Sequence, residues 1–322
     1  MLTSEKVKRY AKSCGADVVG IGSMDRFEGA PKQMDPRYIF PEAKSIIVMG
    51  FRHLRGVFRG TEEGTFFTSY ASMGYASINY VRQPLVLWNV ARMIEDEGYE
   101  AIPIPNNFPF TNTNVVGRNP ELTGKMNEQR SRPVSPDKPA PDVFIQLRIA
   151  AFIAGLGEIG YSKMFLTPEF GPRQRLAAII TDAPLTPDPI FEGKLCDRCM
   201  NCVTACTVGA IPHIRERRTV KIKVAGREIE WADIDYNKCS IGFCGASKEY
   251  NPFMITEEDE KGFTYPEYWV SQAYKLPPLY VYARGLEGAS GCIRACMIHL
   301  EQMGKIKNTF KNPFRKRAPW KL

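Results

Sequence analysis

The sequence predicts a mixed α/β (α+β) fold in two parts, an α/β domain over residues 1–185 and a cysteine-rich domain over residues 186–322. Three observations support this division. Stretches with helical and strand periodicity alternate over the first part, as they do in α/β domains. Two prolines interrupt the segment 186–194, which is typical of a linker. Four closely spaced cysteines follow this linker directly.

The first elements can be assigned from periodicity. Apolar residues recur at helical spacing over residues 4–15, and DVVGIGS at 17–23 has the composition of a short strand. SIIVMGF at 45–51 is a continuous run rich in β-branched residues, so it predicts a buried strand. A long helical pattern covers 77–97. Because Pro84 lies inside it, the helix should kink there or begin near residue 83.

The remaining elements of the first domain continue the alternation. A strand is expected at 99–105, a helix at 143–155 and a strand at 175–185. Between the first two lies 106–141, a segment rich in Asn, Pro and Arg. We expect it to form an ordered loop that lines a site.

The second domain is predicted to contain a hairpin and an insertion. Residues 219–231 alternate in a strand pattern around a turn at Ala225 and Gly226. An insertion at 245–290 carries several aromatic side chains that would cap a substrate pocket or, alternatively, form the core of a small subdomain. These are Tyr250, Phe253, Phe263, Tyr265, Tyr268, Trp269 and Tyr274.

The cysteine run reads CDRCMNCVTAC from Cys196 to Cys206, with the spacing C-x2-C-x2-C-x3-C. This is the spacing of bacterial ferredoxins, in which three thiolates hold one [4Fe–4S] cluster and the fourth ligates another. Structural zinc is the alternative, but it usually takes two separated pairs of ligands. A disulfide framework is typical of small secreted domains and not of a chain of this length.

The run therefore predicts two [4Fe–4S] clusters and requires a second set of cysteines, which the chain contains. The first cluster is expected on Cys196, Cys199, Cys202 and Cys296, and the second on Cys206, Cys239, Cys244 and Cys292. Ala289 stands where a standard second run would have a cysteine, so a 3Fe cluster or an open site is the alternative there. Cys14, in a helical pattern, is expected to be a buried small apolar residue.

Composition excludes several classes of protein. No apolar run approaches the roughly eighteen residues of a membrane span, and the first residues carry no apolar export segment, so we expect a cytoplasmic location and no transmembrane segment. The three histidines have no ligand spacing, which argues against a His-rich metal centre. The net charge of +8 includes a basic stretch at residues 305–322. It is expected to be solvated or to contact an acidic partner, with nucleic acid or an anionic membrane as the alternative.

A glycine-rich segment, AGLGEIG at 154–160, is the candidate cofactor site of the first domain. Clusters store and pass single electrons, so the domain that precedes them should hold a redox cofactor or a substrate. The segment follows a helix and not a strand, which disfavours a dinucleotide fingerprint. Glycine here would let the backbone approach something flat and large, or would simply end the helix.

Residues 154–185, AGLGEIGYSKMFLTPEFGPRQRLAAIITDAPL, followed by the cysteine run, resemble the reductive dehalogenases. They are similar, more distantly, to the epoxyqueuosine reductases. GYEAIPIPNN at 98–107 and CGADVVGIGSMD at 14–25 resemble further segments of both families. The resemblance covers most of residues 4–210.

The resemblance implies a nitroreductase-like core that binds a corrinoid such as cobalamin, base-off, with a bacterial ferredoxin-like two-[4Fe–4S] domain behind it. The clusters would deliver electrons one at a time to reach Co(I). Ten residues that match by position would line the corrin or its tail. They are Asn106, Asn107, Gly155, Leu156, Gly157, Gly160, Thr167, Pro168, Phe170 and Gly171.

The resemblance also implies a proton donor. In dehalogenases this is a tyrosine on the helix before the GY-x-A-x-P strand, for which Tyr80 is the first candidate and Tyr75 the second. The alternative for Tyr80 is a core residue with a satisfied hydroxyl. Arg148 or Lys138 would be the basic partner. Epoxyqueuosine reductases instead place an Asp acid before the helix that leads into GLG, and Asp142 lies close to that position.

Three functions are compatible with these observations. The first is reductive dehalogenation, or similar removal of a leaving group, from a small organic substrate, with electrons from an external low-potential ferredoxin or flavodoxin. The second is epoxide reduction on tRNA, which the basic charge favours. The third is a ferredoxin-like electron carrier or maturation protein without catalysis of its own. The oligomeric state is left open, a homodimer included.

Overall fold

The computed structural model describes residues 2–63, 69–105, 134, 143–236, 238–239 and 290–315. Apart from residues 134 and 290, the loop expected at 106–141 and the insertion at 245–290 lie outside this part of the chain.

A four-stranded antiparallel sheet forms the centre of the fold. Its spatial order is β1 (Val18–Ser23), β2 (Ser45–Arg52), β6 (Gln174–Thr181) and β3 (Ala101–Ile104). The mixed α/β fold is thus confirmed. Since every pairing is antiparallel, the α+β form of the expected class is the one that describes the sheet.

Helices cover both faces of the sheet. The face that carries Ile47 packs against α1 (Ser4–Ser13) and α3 (Gln83–Glu95). The opposite face, which carries Ile46, packs against α4 (Leu147–Ile153). Side chains alternate between the faces along a strand, and both faces of β2 are apolar, which explains its uninterrupted apolar run.

The helix expected at 77–97 becomes α-helical only at Gln83. Two π-helical stretches, Tyr70–Ala76 and Ile78–Arg82, precede it, after a short helix α2 (Arg59–Glu63). Pro84 lies in the first turn of α3, directly after the π-helical stretch that ends at Arg82. The predicted start near residue 83 is therefore confirmed, and the π turns before it were not foreseen.

Other predicted elements are present with shifted ends. The helix expected at 143–155 begins only at Leu147, because the Oε1 of Gln146 accepts a hydrogen bond from the N–H of Arg148 at 2.8 Å and caps it. The strand expected at 175–185 ends at Thr181.

The predicted hairpin is confirmed as β7 (Thr219–Val224) and β8 (Arg227–Ala232). Ala225 and Gly226 form its turn with φ of 52° and 71°. Both values lie in the left-handed region that two-residue hairpins require. Trp231 of β8 is buried against the α4 side of the sheet.

Smaller elements surround the cysteines. A two-stranded hairpin pairs β4 (Glu158–Ile159) with β5 (Phe165–Leu166). Helix α5 (Asn201–Thr204) lies inside the cysteine run, and α6 (Ser290–Gln302) packs against it. Within the described residues, no helix combines the length and the apolar character that crossing a bilayer requires.

Candidate active site and cysteine groups

The loop from Cys196 to Cys206 turns tightly. Arg198 and Met200 both have φ of 61°, in the left-handed region that a side chain makes costly. This backbone turns the chain back between successive cysteines, and α5 begins directly after Met200. The loop therefore directs several thiols toward one point.

Cys196, Cys199, Cys202 and Cys296 form the first cysteine group. Burial raises the pKa of the Cys296 thiol well above its usual value, and the thiols of Cys196, Cys202 and Cys199 raise it further. Burial and then Cys196 and Cys199 likewise raise the pKa of Cys202 to about 11. Cys199 is the exposed member of the group.

Cys206, Cys239 and Cys292 form the second cysteine group, and Cys244 lies outside the described residues. Burial is the main cause that raises the pKa of the Cys292 thiol. The nearby thiols of Cys239, Cys202 and Cys206 raise it further. Cys239 keeps accessible surface, but desolvation of its thiol and then the proximity of Cys206 raise its pKa to about 11. The influence of Cys202 on Cys292 indicates that the two groups are adjacent.

The two groups fit the donor set of iron–sulfur clusters. Backbone N–H groups donate to two of the sulfurs, from Tyr161 to Cys196 Sγ at 3.3 Å and from Ala210 to Cys206 Sγ at 3.2 Å. Hydrogen bonds to ligating sulfurs are one means by which proteins tune clusters. Burial raises the pKa values of Cys202, Cys239, Cys292 and Cys296, so a metal that binds these thiols must displace their protons.

A histidine also lies beside the first group. His299 Nε2 is 2.7 Å from Asp197 Oδ2, and the ligand atoms of Asp197, Cys199 and His299 all lie within 4.8 Å of one another. No spacing pattern indicates this proximity, since about a hundred residues separate the histidine from the run.

A set of cationic and phenolic side chains, which we call the arginine–tyrosine cluster, consists of Tyr75, Arg148, Lys163, Arg175 and Tyr236. Tyr75 is buried, and the guanidinium carbon of Arg175 lies 4.3 Å from the centre of its ring. Arg175 Nε in turn donates to Asn79 Oδ1 at 3.0 Å. The π-helical segment and β6 thus place a phenol directly against a cation.

Lys163 extends this cluster from the β4–β5 turn. Its φ of 61° lies in the left-handed region, and such strain is common at functional sites. Its Nζ donates to the hydroxyl of Tyr236 and lies 5.2 Å from the centre of the Trp231 ring. Burial, followed by repulsion from Arg148, lowers the pKa of Lys163 to about 8.

The cluster adjoins the second cysteine group. Burial lowers the pKa of Arg148, and the positive charge of Arg175 lowers it further. Three nearby groups act in the opposite direction and raise this pKa: Tyr236, Tyr75 and Cys239. Burial raises the pKa of Tyr70, a buried phenol of the same π-helix, on which Cys292 and Cys239 also act. Any cluster held by these thiols would therefore lie next to cations and proton donors.

The structure separates the two tyrosine candidates. Tyr80 is 39% exposed, whereas Tyr75 is 5% exposed and stacks on Arg175. Arg148, one of the two basic partners that the resemblance implies, lies near Tyr75, whose phenol acts on its pKa. Other residues named from the sequence lie outside the described part: Asn106, Asn107, Lys138 and Asp142.

The glycines of the glycine-rich segment are explained by packing. A Cβ on Gly155 would lie 2.1 Å from the carbonyl oxygen of Pro189, and one on Gly157 would lie 1.9 Å from that of Leu166. Their φ values are 75° and 155°. Side chains of Leu166 and Leu300 similarly close the space at Gly160 and Gly171. None of these contacts requires a corrin.

The other corrin candidates are also engaged within the chain. The hydroxyl of buried Thr167 accepts a hydrogen bond from the N–H of Phe170 and donates to Gln174. Leu156 and Pro168, with Gly155, line a pocket of about 200 Å³. Small-molecule sites span roughly 300–1,000 Å³, so a corrin would need more space than this pocket alone provides. The corrin role of these residues stays a prediction.

Sequence reasoning missed three members of the arginine–tyrosine cluster. Arg175 lies in the GPRQR segment, where its position on a buried strand was a usable signal. Lys163 and Tyr236 had none, because their proximity depends on the turn between β4 and β5 and on the chain beyond β8.

No protein-family model matches the chain. Over 112 residues it is 37% identical to a tetrachloroethene reductive dehalogenase of Sulfurospirillum multivorans, a match that covers 31% of this chain and 22% of that protein. Over 232 residues it is 25% identical to an epoxyqueuosine reductase of Bacillus subtilis (strain 168), covering 64% of this chain and 51% of the relative. The chain thus spans about half or less of the length of these two relatives.

Among solved structures, a catabolic reductive dehalogenase variant aligns with a TM-score of 0.51 and 18% identity, over 90% of this chain and 37% of that one. This likeness concerns the fold alone. The resemblance to both families is confirmed, and both are families of oxidoreductases.

Proposed function

We propose that the chain is a reductase in which electrons enter at the first cysteine group, pass to the second and reach a substrate at the arginine–tyrosine cluster. The observation that carries this proposal is the proximity of that cluster to the second group, seen in the electrostatic effect of Cys239 on the pKa values of Arg148 and Tyr236. Cys199 is exposed, which suits the first group as the entry point for an external ferredoxin or flavodoxin.

The cluster has the side chains that reductive removal of a leaving group needs. Tyr75 donates its hydroxyl proton to the substrate carbon, and the guanidinium of Arg175 stabilises the phenolate that remains. Arg148 and Lys163 provide positive charge for the departing anion. The overall reaction takes a carbon–halogen bond, two electrons and a proton to a carbon–hydrogen bond and a halide ion.

The corrinoid belongs to this proposal through the resemblance alone. When bound, it supplies a strongly reducing and nucleophilic metal centre. The chain's own residues then exclude water, hold the substrate and move the proton of Tyr75. The nitroreductase-like core, the ferredoxin-like domain, their boundary near residue 185 and a cytoplasmic location are parts of the same proposal.

Halide release tests the proposed reaction. The protein is reconstituted without oxygen with iron, sulfide and hydroxocobalamin, reduced with a low-potential donor and supplied with chlorinated and brominated phenols and alkenes. We expect halide release, measured by ion chromatography, that depends on both cofactors. Protein that is loaded with both and releases no halide from any of these substrates would contradict dehalogenation.

Epoxide reduction on tRNA is the second candidate. The match to the epoxyqueuosine reductase covers 64% of the chain, twice the share covered by the dehalogenase match. The net charge of +8 also suits a polyanion. Binding of tRNA that weakens steeply with salt, with loss of the epoxide from the modified base, would support it over dehalogenation. A protein that loads clusters but does neither would instead fit an electron carrier.

A further inference from the structure

One carboxylate of the β4–β5 hairpin holds the start of the cysteine run. Glu158 Oε1 accepts a hydrogen bond from the N–H of Leu195 at 2.7 Å and a second one from the N–H of Cys196. The same hairpin supplies Tyr161, whose N–H donates to the Sγ of Cys196. Cys196 is therefore held at its backbone and at its sulfur by a single short element.

The carboxylate of Glu158 lies close to the first cysteine group. In the part of the chain that the structure describes, no Lys, Arg or His forms an ion pair with it, and its hydrogen-bond partners are the two backbone N–H groups. The nearby Lys305 instead donates to the carbonyl oxygen of Leu195, and Asp197 pairs with His299. Glu158 therefore places a negative charge beside the backbone of Cys196, a member of the group.

We propose that Glu158 is a positioning residue that fixes Cys196 and also lowers the reduction potential of a cluster held by the first group. This inference rests on the proposed function, because it requires that cluster. A reduced cluster carries one more negative charge than an oxidised one, so a neighbouring carboxylate disfavours reduction. A lower potential at the entry cluster favours onward transfer of the electron to the second group.

Glu158→Gln separates charge from position, because the amide oxygen still accepts both hydrogen bonds while the charge is lost. An EPR-monitored redox titration of the reconstituted protein should show the midpoint potential of one cluster shifted to a more positive value, with iron content unchanged. The cluster that shifts should be the one whose signal Cys199→Ser perturbs. An unshifted potential would overturn the charge effect.

Two further variants complete the test. Glu158→Asp keeps the charge but shortens the reach to Leu195 and Cys196. We expect less iron in the first cluster, with the wild-type potential in the fraction that loads; full loading would overturn the positioning role. Glu192→Gln removes an equal charge four residues before Cys196, but its side chain is 83% exposed and screened by water, so it should shift neither potential.

The wild-type protein distinguishes this inference from the proposal on which it rests. If the reconstituted wild-type chain shows no iron–sulfur EPR signal, the proposed function itself fails. If both clusters load and the potential of Glu158→Gln equals that of the wild type, only the present inference fails.

Discussion

Tyr75 acquires its position from the π-helical geometry of its segment. The resemblance to the dehalogenases made Tyr80 the first candidate and Tyr75 the second, by their positions before the strand that begins after Gly98. In a π-helix each N–H bonds to a carbonyl five residues away, so the side chains advance differently around the axis. The result is a buried Tyr75 against Arg175 and a partly exposed Tyr80. A sequence pattern contains no signal for such turns, apart from the proline that follows them.

The two tyrosines can be separated by matched substitutions. We expect Tyr75→Phe to lower turnover by about 10²-fold or more, because general acid catalysis typically contributes that much. Cluster content should be unchanged. Tyr80→Phe should keep nearly full activity. Full activity in Tyr75→Phe together with loss in Tyr80→Phe would restore the candidate that the sequence favoured.

The lowered pKa of Lys163 predicts a specific pH dependence of stability. The folded pKa is about 8, against 10.5 for the unfolded side chain. Between these values the unfolded chain binds more protons, so this residue makes the free energy of unfolding rise with pH from about 8 to 10.5. Lys163→Met should remove this rise and stabilise the protein at pH 7.

Urea unfolding of the apoprotein without oxygen, repeated over a range of pH, measures the difference in the free energy of unfolding between wild type and Lys163→Met. Lys221 of β7 is the matched control. Its hydrogen bond with Glu228 raises its pKa, so its contribution to the pH dependence of the free energy of unfolding has the opposite sign. An identical pH profile for wild type and Lys163→Met would show that the site does not disfavour the charged amine.

At the scale of elements, the turn after α4 joins the sheet to the linker. Gly155 has φ of 75°, and its missing Cβ faces the carbonyl oxygen of Pro189. The segment that the resemblance assigns to corrin binding therefore also fastens residues 186–194 to the core. Its conformation is a property of the protein without cofactor.

Gly155→Ala and Gly98→Ala test this interpretation. Both glycines have positive φ, of 75° and 87°, but nothing lies within 4 Å of a Cβ at Gly98. Gly98→Ala should cost about 1–2 kcal/mol of unfolding free energy, and Gly155→Ala about 3–5 kcal/mol, because a clash is added to the strain. Equal costs in the apoprotein would favour a glycine required only for a cofactor.

Most helices and strands could be predicted from the sequence, because their residues carry the periodicity or the turn that defines them. Buried strands such as Ser45–Arg52 are specified by continuous apolar residues, and the hairpin by its Ala225–Gly226 turn. The short strands β4 and β5 have no periodicity of their own. Glu158 of β4 and Tyr161 of the turn between the strands hydrogen-bond to the cysteine run, which is a tertiary interaction.

At the scale of the whole molecule, the cysteine groups combine residues far apart in the chain. The sequence predicted this partition from ferredoxin spacing, and in the structure Cys296 lies near the first three cysteines of the run while Cys206 lies near Cys239. The arginine–tyrosine cluster could not be predicted in the same way. Its members come from the π-helix, α4, β6, the β4–β5 turn and the chain after β8, and no spacing rule joins them.

Cys206→Ser tests the partition, since Cys206 belongs to the run by sequence but to the second group in space. We expect the EPR signal of one cluster to be lost or altered while the signal perturbed by Cys199→Ser remains. Cys14→Ser, at the residue that follows α1 and is half-buried against the same core, should leave both unchanged. Loss of the same signal in Cys199→Ser and Cys206→Ser would mean that the run holds one cluster by itself.

Anaerobic reconstitution with iron, sulfide and hydroxocobalamin, followed by gel filtration with metal analysis, absorption and EPR, tests the central claim most directly. A reductase fed by two clusters should retain iron and sulfide for both, show two reduced cluster signals and carry an absorption band of corrin in the protein peak. Retention of zinc in place of iron, or of a single cluster without corrin, would contradict the account.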